Sequence, residues 1–502
     1  MFSYLNQQLI SLLCRVHQSK NEMVKKIFRI VLKTLLGIIA AIILFLVSSM
    51  LISKYDFGDP SEEIGERVSK LAFTHVNIVN VEADSTEAPG ALIKNAKILL
   101  EEGKIVQILP DSVETPKGYR EIDAKGGFAL PGLMDMHTHI FDRSDLAMYL
   151  GHGVTTVRNM MGFPMHLRWR QQMELGSYPG SRLITASPTI NSGNDTGPFH
   201  KNIDTPEEAV EAITDYKEKG YDFIKIYDGL NYDQFTAVMQ TANANDLYVA
   251  GHPPHGIGID TLLSFNLNSF EHIEEIVQGP LEYELSVPKG RKIAQKFKAA
   301  NARLTITMSP FRNIYRTTVE GDDFLSSLPE EKINPFIEFI GQKQLQQWVN
   351  CNKGTYDWNV GKYKCMALLT QVFHEEDVNL LLGTDTGPSL TVPGLTLLDE
   401  IKILNDLDIP VLDIIKSGTI EAAKALQMDD EIGSIAIGKQ AEMVIVKDNP
   451  LTDMNTLYNP VSIVKGETLY LEPDIEELKG LGRQKSNVYL TLGRFLNHLI
   501  SK

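Results

Sequence analysis

The sequence predicts an α/β fold: a parallel (β/α)8 barrel, or TIM barrel, flanked by a β-sandwich and preceded by one transmembrane helix. Three observations predict it. Apolar strand-like runs alternate with helical patterns through residues 134–424. Short β-like runs, punctuated by glycine and proline, occupy 71–133 and return at 425–470. An uncharged apolar run, 34–53, precedes them all.

The composition excludes several classes of protein. Of the 502 residues, 43% are hydrophobic and 22% are charged, as in ordinary globular proteins. A net charge of −16 repels phosphates, so no nucleic-acid partner is expected. Three cysteines exclude a disulfide scaffold and a cysteine-rich zinc module. Cys351 and Cys365 either pair, in an oxidising compartment, or stay free thiols. A homo-oligomer is compatible with the sequence.

Residues 34–53 are long enough to cross a bilayer, since a helix rises about 1.5 Å per residue and a bilayer core is about 30 Å thick. Basic residues lie upstream, and acidic residues such as Asp56 and Glu63 follow. The positive-inside rule places 1–33 in the cytoplasm and the large C-terminal part outside, in the periplasm or extracellular space.

Two alternatives to a membrane anchor remain. One is a buried core helix. The other is a cleaved signal peptide that starts at Met23 and leaves a secreted protein. The long apolar run and the lack of an A-x-A site favour an uncleaved anchor.

Eight strand-like runs account for the barrel. Before the last of them, residues 311–376 form a long insertion of the kind that often covers a site. The tail, 471–502, has a helical pattern whose apolar stripe is expected to pack on the body, with membrane contact as the alternative. The stripe consists of Leu492, Phe495, Leu496, Leu499 and Ile500. The eight runs are GLMDMHTHI, GVTTVRNMM, RLITASPTI, DFIKIYDG, LYVAGHPP, SFEHIE, LTITMSP and VNLLLGTDT.

The first run contains two histidines with the spacing of a metal-ligand pair. His137 and His139 face the same side of a strand, because alternate side chains do. Two convergent neutral imidazoles are what a metal ion needs. By itself an H-x-H pattern is a weak signal.

The fourth run places a lysine where a cation is costly. Phe223, Lys225 and Tyr227 are expected to face the barrel interior, where an unpaired lysine is unfavourable. Reaction of the amine with carbon dioxide would convert it to a carbamate, a carboxylate able to bridge two cations. A salt bridge to a barrel carboxylate and a Schiff-base lysine are the alternatives.

Further polar residues follow other apolar runs. His252, His272 and Asp385 each lie near the end of a predicted strand, and such ends converge at one mouth of a barrel. Taken singly, each is explained as a satisfied polar group of the barrel. Together with the other candidates they predict a metal site at that mouth, because chance placement of all six residues at strand ends is improbable. Zinc suits histidine ligands, and manganese, iron and cobalt are not excluded.

Residues 70–470 resemble the amidohydrolase superfamily, in particular its imidazolonepropionase-like and Xaa-Pro-dipeptidase-like (prolidase) branch. The resemblance implies that the two flanking β segments join into one sandwich. It also implies that a carboxylated Lys225 bridges two metals, the first held by His137, His139 and Asp385 and the second by His252 and His272. It rests on the motifs ALPGLMDMHTHI, GVTTVRNMMG, GYDFIKIYDG, VAGHPP, FEHIEE, LLGTDTG and GSIAIGKQAEMVIVKDNPL.

The expected function is hydrolysis of an amide or peptide bond in a small molecule or dipeptide, such as one with C-terminal proline, by a metal-bridging hydroxide. Asp385 would accept the proton of the water, and Tyr227 would bind substrate, stabilise the oxyanion or simply pack. His200 and His255 are weaker candidates for substrate contact. Two rival functions remain: a one-metal deaminase or cyclic amide hydrolase acting on a heterocycle, and a catalytically inactive barrel used for binding.

Overall fold

A computed structural model describes residues 2–56, 60, 63–83, 90–194, 196–328, 334–483 and 487–502. The chain begins with a helix, α1 (Phe2–Ile52). Within the described residues, the part from Lys20 to Ile52 is the one helix apolar and long enough to cross a membrane, as a membrane anchor or a signal sequence does. Its apolar side chains are exposed, Leu44 to 70%.

The first flanking segment consists of short strands bounded by turns. Gly103 has a φ of 73° in the tight turn between two of them, a conformation that favours glycine. The strands are β1 (Glu66–Arg67), β2 (Lys70–Val79), β3 (Leu92–Glu101), β4 (Lys104–Pro110), β5 (Arg120–Asp123) and β6 (Phe128–Pro131).

Each of the eight predicted strand-like runs contains a parallel strand in the described part of the chain. These strands are β7 (Leu133–Thr138), β8 (Val154–Asn159), β9 (Arg182–Thr185), then, after the short β10 (Ile190–Asn191) and β11 (Lys201–Asn202), β12 (Ile224–Ile226), β13 (Val249–Gly251), β14 (Ser269–Glu271), β15 (Arg303–Ile306) and β16 (Asn379–Leu382). The strands β7, β8 and β9 form one sheet, and β11-β10-β12-β13-β14-β15-β16 form another. Single parallel bridges, Ala186 with Phe223 and Thr138 with Thr386, link the two sheets.

Helices connect these strands, as the alternating pattern predicted. They are α2 (Arg143–Gly151), α3 (Pro164–Glu174), α4 (Pro206–Lys219), α5 (Tyr232–Ala244), α6 (Ile259–Ser264), α7 (Ile273–Gln278), α8 (Val287–Ala299), α9 (Ser309–Glu320), α10 (Asp322–Ser327), α11 (Pro335–Gln346), α12 (Lys353–Glu375), α13 (Leu395–Asp406), α14 (Val411–Ser417) and α15 (Ile420–Ala425). The described part of the insertion at 311–376 is therefore largely helical. Cys351 and Cys365 are free thiols.

The two flanking segments share one sheet. The second segment contributes β17 (Glu442–Val446), a 3₁₀ turn at Met454–Tyr458, β18 (Ser462–Lys465) and β19 (Thr468–Leu471). The strand order is β1-β19-β18-β17-β6-β2-β3-β4, with β5 paired to β2. Both segments contribute to one apolar cluster, in which Phe73 and Ile98 of the first join Met443 and Ile445 of the second. The pairing thus joins parts of the chain that are remote in sequence.

The tail forms two helices, α16 (Glu472–Gly482) and α17 (Val488–Ser501). The predicted stripe on α17 is divided: Phe495 is buried, whereas Leu499 and Ile500 are exposed to 42% and 72%. Packing on the body therefore accounts for only part of it.

Candidate active site

The six predicted metal-binding residues line one cavity of about 440 Å³. They come from five of the parallel strands or from the residues that directly follow them: His137 and His139 at β7, Lys225 in β12, His252 after β13, His272 after β14 and Asp385 after β16. The six side chains thus lie around one cavity at the carboxyl ends of these strands.

Backbone pairing between the two ends of the predicted barrel brings the first three ligand candidates together. The amide of Asp385 donates to the carbonyl of His137 at 2.8 Å, and that of His139 donates to the carbonyl of Thr386 at 2.8 Å. The Oδ1 atom of Asp385 consequently lies 2.9 Å from Nε2 of His139 and 3.5 Å from Nε2 of His137. One ligand atom from each of the three residues lies within 4.8 Å of the others, a spacing that suits one cation.

The segment around Asp385 approaches β7 closely because two glycines flank it. A Cβ atom at Gly383 would lie 3.1 Å from Cβ of His137, and one at Gly387 would lie 3.1 Å from Cβ of His139. Asp385 itself has a φ of 53°, in the left-handed region. Such a residue costs roughly 1–3 kcal/mol and recurs at functional sites.

The other two histidines face each other. The Nε2 atoms of His252 and His272 lie 3.0 Å apart. Each Nδ1 is already occupied: that of His252 lies 2.9 Å from a carboxylate oxygen of Glu275, and that of His272 lies 2.5 Å from Oγ1 of Thr307. His272 also has a left-handed φ, 65°.

The Nδ1 partners favour one tautomer for His252 and His272. A neutral imidazole that donates from Nδ1 presents a lone pair at Nε2. His137 has the same arrangement, because its Nδ1 lies 2.8 Å from Oε2 of Glu271. Partners of this kind characteristically orient metal-binding histidines. Two facing Nε2 lone pairs, at His252 and His272, repel each other unless a cation or a proton lies between them.

Burial keeps these imidazoles neutral. Desolvation, followed by the positive charges of neighbouring groups, holds the pKa of His137 well below its usual value. Burial likewise lowers the pKa of His272, to about 3, and that of His252. Neutral imidazole is the form that binds metal, so these residues need lose no proton at neutral pH.

Lys225 is the least satisfied polar side chain of the site. It is 2% exposed, and its Nζ has no hydrogen-bond partner within the described part of the chain. Desolvation lowers the pKa of its amine to about 8. An unpartnered buried amine costs free energy, and a much larger neutral fraction than in water makes it reactive toward carbon dioxide. A carbamate would supply the oxygen ligands that two cations need.

Asp385 remains ionised despite its burial. Desolvation raises the pKa of its carboxyl, but the hydrogen bond from His139 and the surrounding histidines outweigh it, so the net pKa lies below the usual value. An anionic carboxylate is available both as a ligand and as a proton acceptor.

Tyr227 lines the cavity and stacks on His252, with ring centroids 4.0 Å apart. His200 also lines the cavity, and its ring centroid lies 4.8 Å from that of Tyr227. His255 is half-buried, and its Nε2 lies 2.6 Å from Glu275. Of the two weaker candidates for substrate contact, His200 therefore lines the cavity, whereas His255 contacts the carboxylate that lies beside His252.

Two buried charged residues behind the histidines were not predicted from the sequence. Arg158 and Glu271 are fully buried and form an ion pair of 2.8 Å, and Glu271 in turn contacts His137. Their sequence signal was a charged residue inside an apolar strand, an arginine in VTTVRN and a glutamate directly before His272. A buried charge requires a buried partner.

Replacing Glu271 with glutamine is expected to weaken metal binding by about 10–100-fold, because His137 loses the carboxylate that orients it. The free energy of unfolding should fall by about 3–5 kcal/mol, because Arg158 keeps a buried charge without its counter-charge. Chelator competition and urea denaturation measure the two effects. The exposed Glu282→Gln substitution is the control. Metal affinity within twofold of wild type would contradict the assigned role of Glu271.

Comparisons with known proteins give the family and the fold to which this chain is similar. Residues 366–468 match the profile of the amidohydrolase family. An imidazolonepropionase of Caldanaerobacter subterraneus subsp. tengcongensis is 23% identical over 393 residues, 72% of this chain and 86% of that enzyme. A 5-methylthioadenosine/S-adenosylhomocysteine deaminase of Thermoanaerobacter pseudethanolicus is 42% identical over 81 residues, 14% of this chain and only 18% of that enzyme.

The fold is similar to that of a solved Xaa-Pro dipeptidase with methionine bound in its active site. The TM-score is 0.62 at 19% identity, and the alignment covers 80% of this chain and 100% of the dipeptidase. At this identity the likeness establishes the amidohydrolase-type α/β fold. The family profile identifies an amidohydrolase domain at residues 366–468, and together with the related sequences it shows that the chain is a hydrolase.

Proposed function

We propose that this enzyme holds two divalent metal ions and hydrolyses an amide bond in a small molecule, at the mouth of a closed (β/α)8 barrel. One observation carries the proposal: four imidazoles, a buried amine without a partner and an ionised aspartate line a single cavity at the carboxyl ends of parallel strands. The mouth at these ends is where such barrels place their active sites. The bridges at Ala186–Phe223 and Thr138–Thr386 support closure of the ring of strands.

The first cation would be held by His137, His139 and Asp385, and the second by His252 and His272, with a carboxylated Lys225 between them. Zinc fits the histidine-rich donor set. When bound, a pair of such cations supplies an acidified water and a polarised substrate carbonyl.

The chain's own residues complete the reaction. Oδ1 of Asp385 accepts the proton of the attacking water and returns it to the departing amine nitrogen. Tyr227 stacks on the ring of His252 and lines the same cavity, where its hydroxyl would serve as a donor that stabilises the developing oxyanion.

The rival function is a one-metal deaminase or cyclic amide hydrolase acting on a heterocycle, and the names of the sequence relatives favour it. The unpartnered amine of Lys225 favours two metals instead. In a one-metal site this lysine would have no role as a bridging ligand, and its buried amine would stay without a partner. A binding protein without activity is disfavoured because all six ligand candidates are present and face one cavity.

We also propose that α1 is retained as a membrane anchor, with residues 1–33 in the cytoplasm and the enzyme outside. The end of α1 is packed against the tail helix α17: Ser49 and Ser53 are fully buried, and Asn497 donates to the carbonyl of Met50 at 2.9 Å. Removal of α1 as a signal peptide would expose this packed face, which supports retention.

Metal analysis together with an activity screen tests the proposed function. Full-length protein, purified in detergent and supplied with zinc and bicarbonate, should bind about two metal ions per chain and hydrolyse amides. Dipeptides, N-acyl amino acids and neutral N-acyl amides form one panel, and adenosine analogues and imidazolones form the other. Protein that stays metal-free in zinc would overturn the proposal. So would one bound metal with ammonia release from a heterocycle.

A further inference from the structure

We propose that the substrate is a neutral amide with a long apolar acyl group, and that it enters the cavity from the bilayer in which α1 is anchored. This inference rests on the proposed amide hydrolysis and names its substrate class. Three observations support it: the cavity wall is apolar, the wall lacks a free positive charge, and helix α17 contacts both a lining residue and α1.

Apolar side chains form the wall beyond the metal-binding residues. The insertion contributes Phe311 from α9 and Ile337 and Ile340 from α11, and Met161 and Phe199 come from loops that follow strands. The cavity therefore offers a substrate mainly hydrocarbon contact. Walls of this kind with a few convergent polar groups are typical of small-molecule sites, and burying an apolar group of the substrate against them is favourable.

The same wall lacks a free positive charge for the carboxylate of a dipeptide. Among the lining residues that the structure describes there is no arginine, and Lys225 is the single lysine. Lys362 lies near the ring of Phe311 but is already paired with Glu274. A free carboxylate is recognised by an arginine fork or an unpaired lysine. A peptide carboxylate would therefore enter this cavity without a counter-charge, whereas an acyl chain carries none.

Helix α17 connects the cavity wall to the membrane helix. On one side, Tyr489 packs against Phe45 of α1 with ring centroids 4.9 Å apart, and Gly493 lies so close that a Cβ atom would come within 2.2 Å of the carbonyl of Ser49. On the other side, Phe495 lies 5.0 Å from Phe199, measured between ring centroids. One short helix thus contacts both the anchor and a lining residue.

Exposed apolar side chains surround this junction. On α17, Val488, Leu499 and Ile500 are 42–72% exposed. On α11, Phe336 packs on Phe495 of α17, and Phe339 is 54% exposed. Because α17 lies against the last turns of α1, where the chain leaves the apolar run, these side chains lie at the level of the bilayer surface. The bilayer is the occupant that continuity with α1 assigns to this face.

Helix α11 presents apolar side chains both on the exposed face and on the cavity side, and these define the route of an acyl amide. The face formed by α11 and α17 is followed by Ile337 and Ile340, on the inner side of α11, and then by the candidate metal site. Hydrolysis there breaks the C–N bond, adds the oxygen of water to the acyl carbon and transfers a proton to the amine. The products are a fatty acid and an amine, and no oxidant or reductant is needed.

A chain-length series tests the substrate class. Full-length enzyme with zinc is placed in phosphatidylcholine vesicles and offered N-acetyl, N-hexanoyl and N-decanoyl anilides, with alanyl-proline as the charged comparison. Each methylene that reaches the wall should raise kcat/KM about two- to fourfold until the wall is filled. Alanyl-proline should be among the poorest substrates. Equal rates across the series, or preference for alanyl-proline, would overturn the inference.

A charge introduced into the wall tests the assignment of the lining residues. Ile340→Arg should reduce kcat/KM for the decanoyl anilide at least about tenfold, since it replaces hydrocarbon contact with a cation. It should leave the acetyl anilide nearly unchanged and improve turnover of alanyl-proline. Gln342→Arg makes a similar change on the exposed side of the same helix and is the control. Equal effects of the two substitutions would contradict the assignment.

The route of entry needs a separate variant. Ile500→Asp should lower kcat/KM for the vesicle-bound decanoyl anilide about fivefold or more and leave the water-soluble acetyl anilide unaffected. Ile437→Asp, at an exposed isoleucine before β17, is the matched control. Equal loss on both anilides would refute entry from the bilayer. If no anilide or peptide is cleaved by metal-loaded enzyme, the proposed function itself fails.

Discussion

Replacing Asp385 with asparagine is expected to lower kcat for amide hydrolysis by about 10²–10⁴-fold, the contribution of a positioned general base. The carboxylate lies 2.9 Å from Nε2 of His139 and is held ionised in its buried setting. Asparagine keeps the size of the side chain but loses the charge that accepts a proton and binds a cation. Single-turnover kinetics on metal-loaded protein, with metal content measured on the same sample, check the result.

The control for this substitution is Asp233→Asn, the same chemical change at an exposed position in the first turn of α5. It should leave kcat and metal content unaltered. An Asp385→Asn enzyme that binds full metal and keeps kcat within tenfold of wild type would exclude Asp385 as the base. Loss of both metal and activity would assign it a role as ligand.

Lys225→Ala is expected to remove one or both metal ions and to abolish hydrolysis while the fold persists. The side chain is buried and its Nζ lacks a hydrogen-bond partner in the described structure, so its loss breaks no internal hydrogen bond. What disappears is the carbamate that the two cations would share. Metal content, far-UV circular dichroism and turnover of the best amide substrate are the measurements.

Two further observations make the Lys225 test specific. Labelled bicarbonate should give a carbamate signal in wild-type protein that is absent in Lys225→Ala. A short carboxylic acid added to the variant should restore part of the metal content, because it replaces the missing carboxylate. Lys97→Ala, at a buried lysine that donates to the carbonyl of Val113, should keep both metals. Full metal content and turnover in Lys225→Ala would remove the two-metal proposal.

Strand positions and ligand residue types were predictable because both are local. Alternation within a strand places His137 and His139 on one side, and Ile224 and Ile226 on the side opposite to Lys225. A polar residue at the end of an apolar run is expected at the carboxyl-terminal edge of a parallel sheet, wherever that run lies in the chain. For this reason the convergence of the six residues could be expected without coordinates, although their roles as ligands stay a prediction.

The groups that orient the ligands were not predictable in the same way. Glu271 contacts His137, which is 134 residues away in the sequence, and Glu275 contacts His252, which follows the neighbouring strand. Nothing in their local sequence says which imidazole each will contact, because that depends on the stagger between strands. The left-handed φ values of His272 and Asp385 likewise arise from the packing that holds them.

By itself the sequence determined the alternating α/β architecture, the apolar N-terminal helix and the chemical types of the candidate site residues, since these follow from periodicity and from the cost of burying polar groups. The tertiary structure decided which Nδ1 atoms are occupied, that the insertion lines the cavity with hydrocarbon, and that α17 joins α1 to that cavity. Such contacts depend on the free energy gained when surfaces that are distant in the chain pack together. A local sequence pattern therefore cannot predict them.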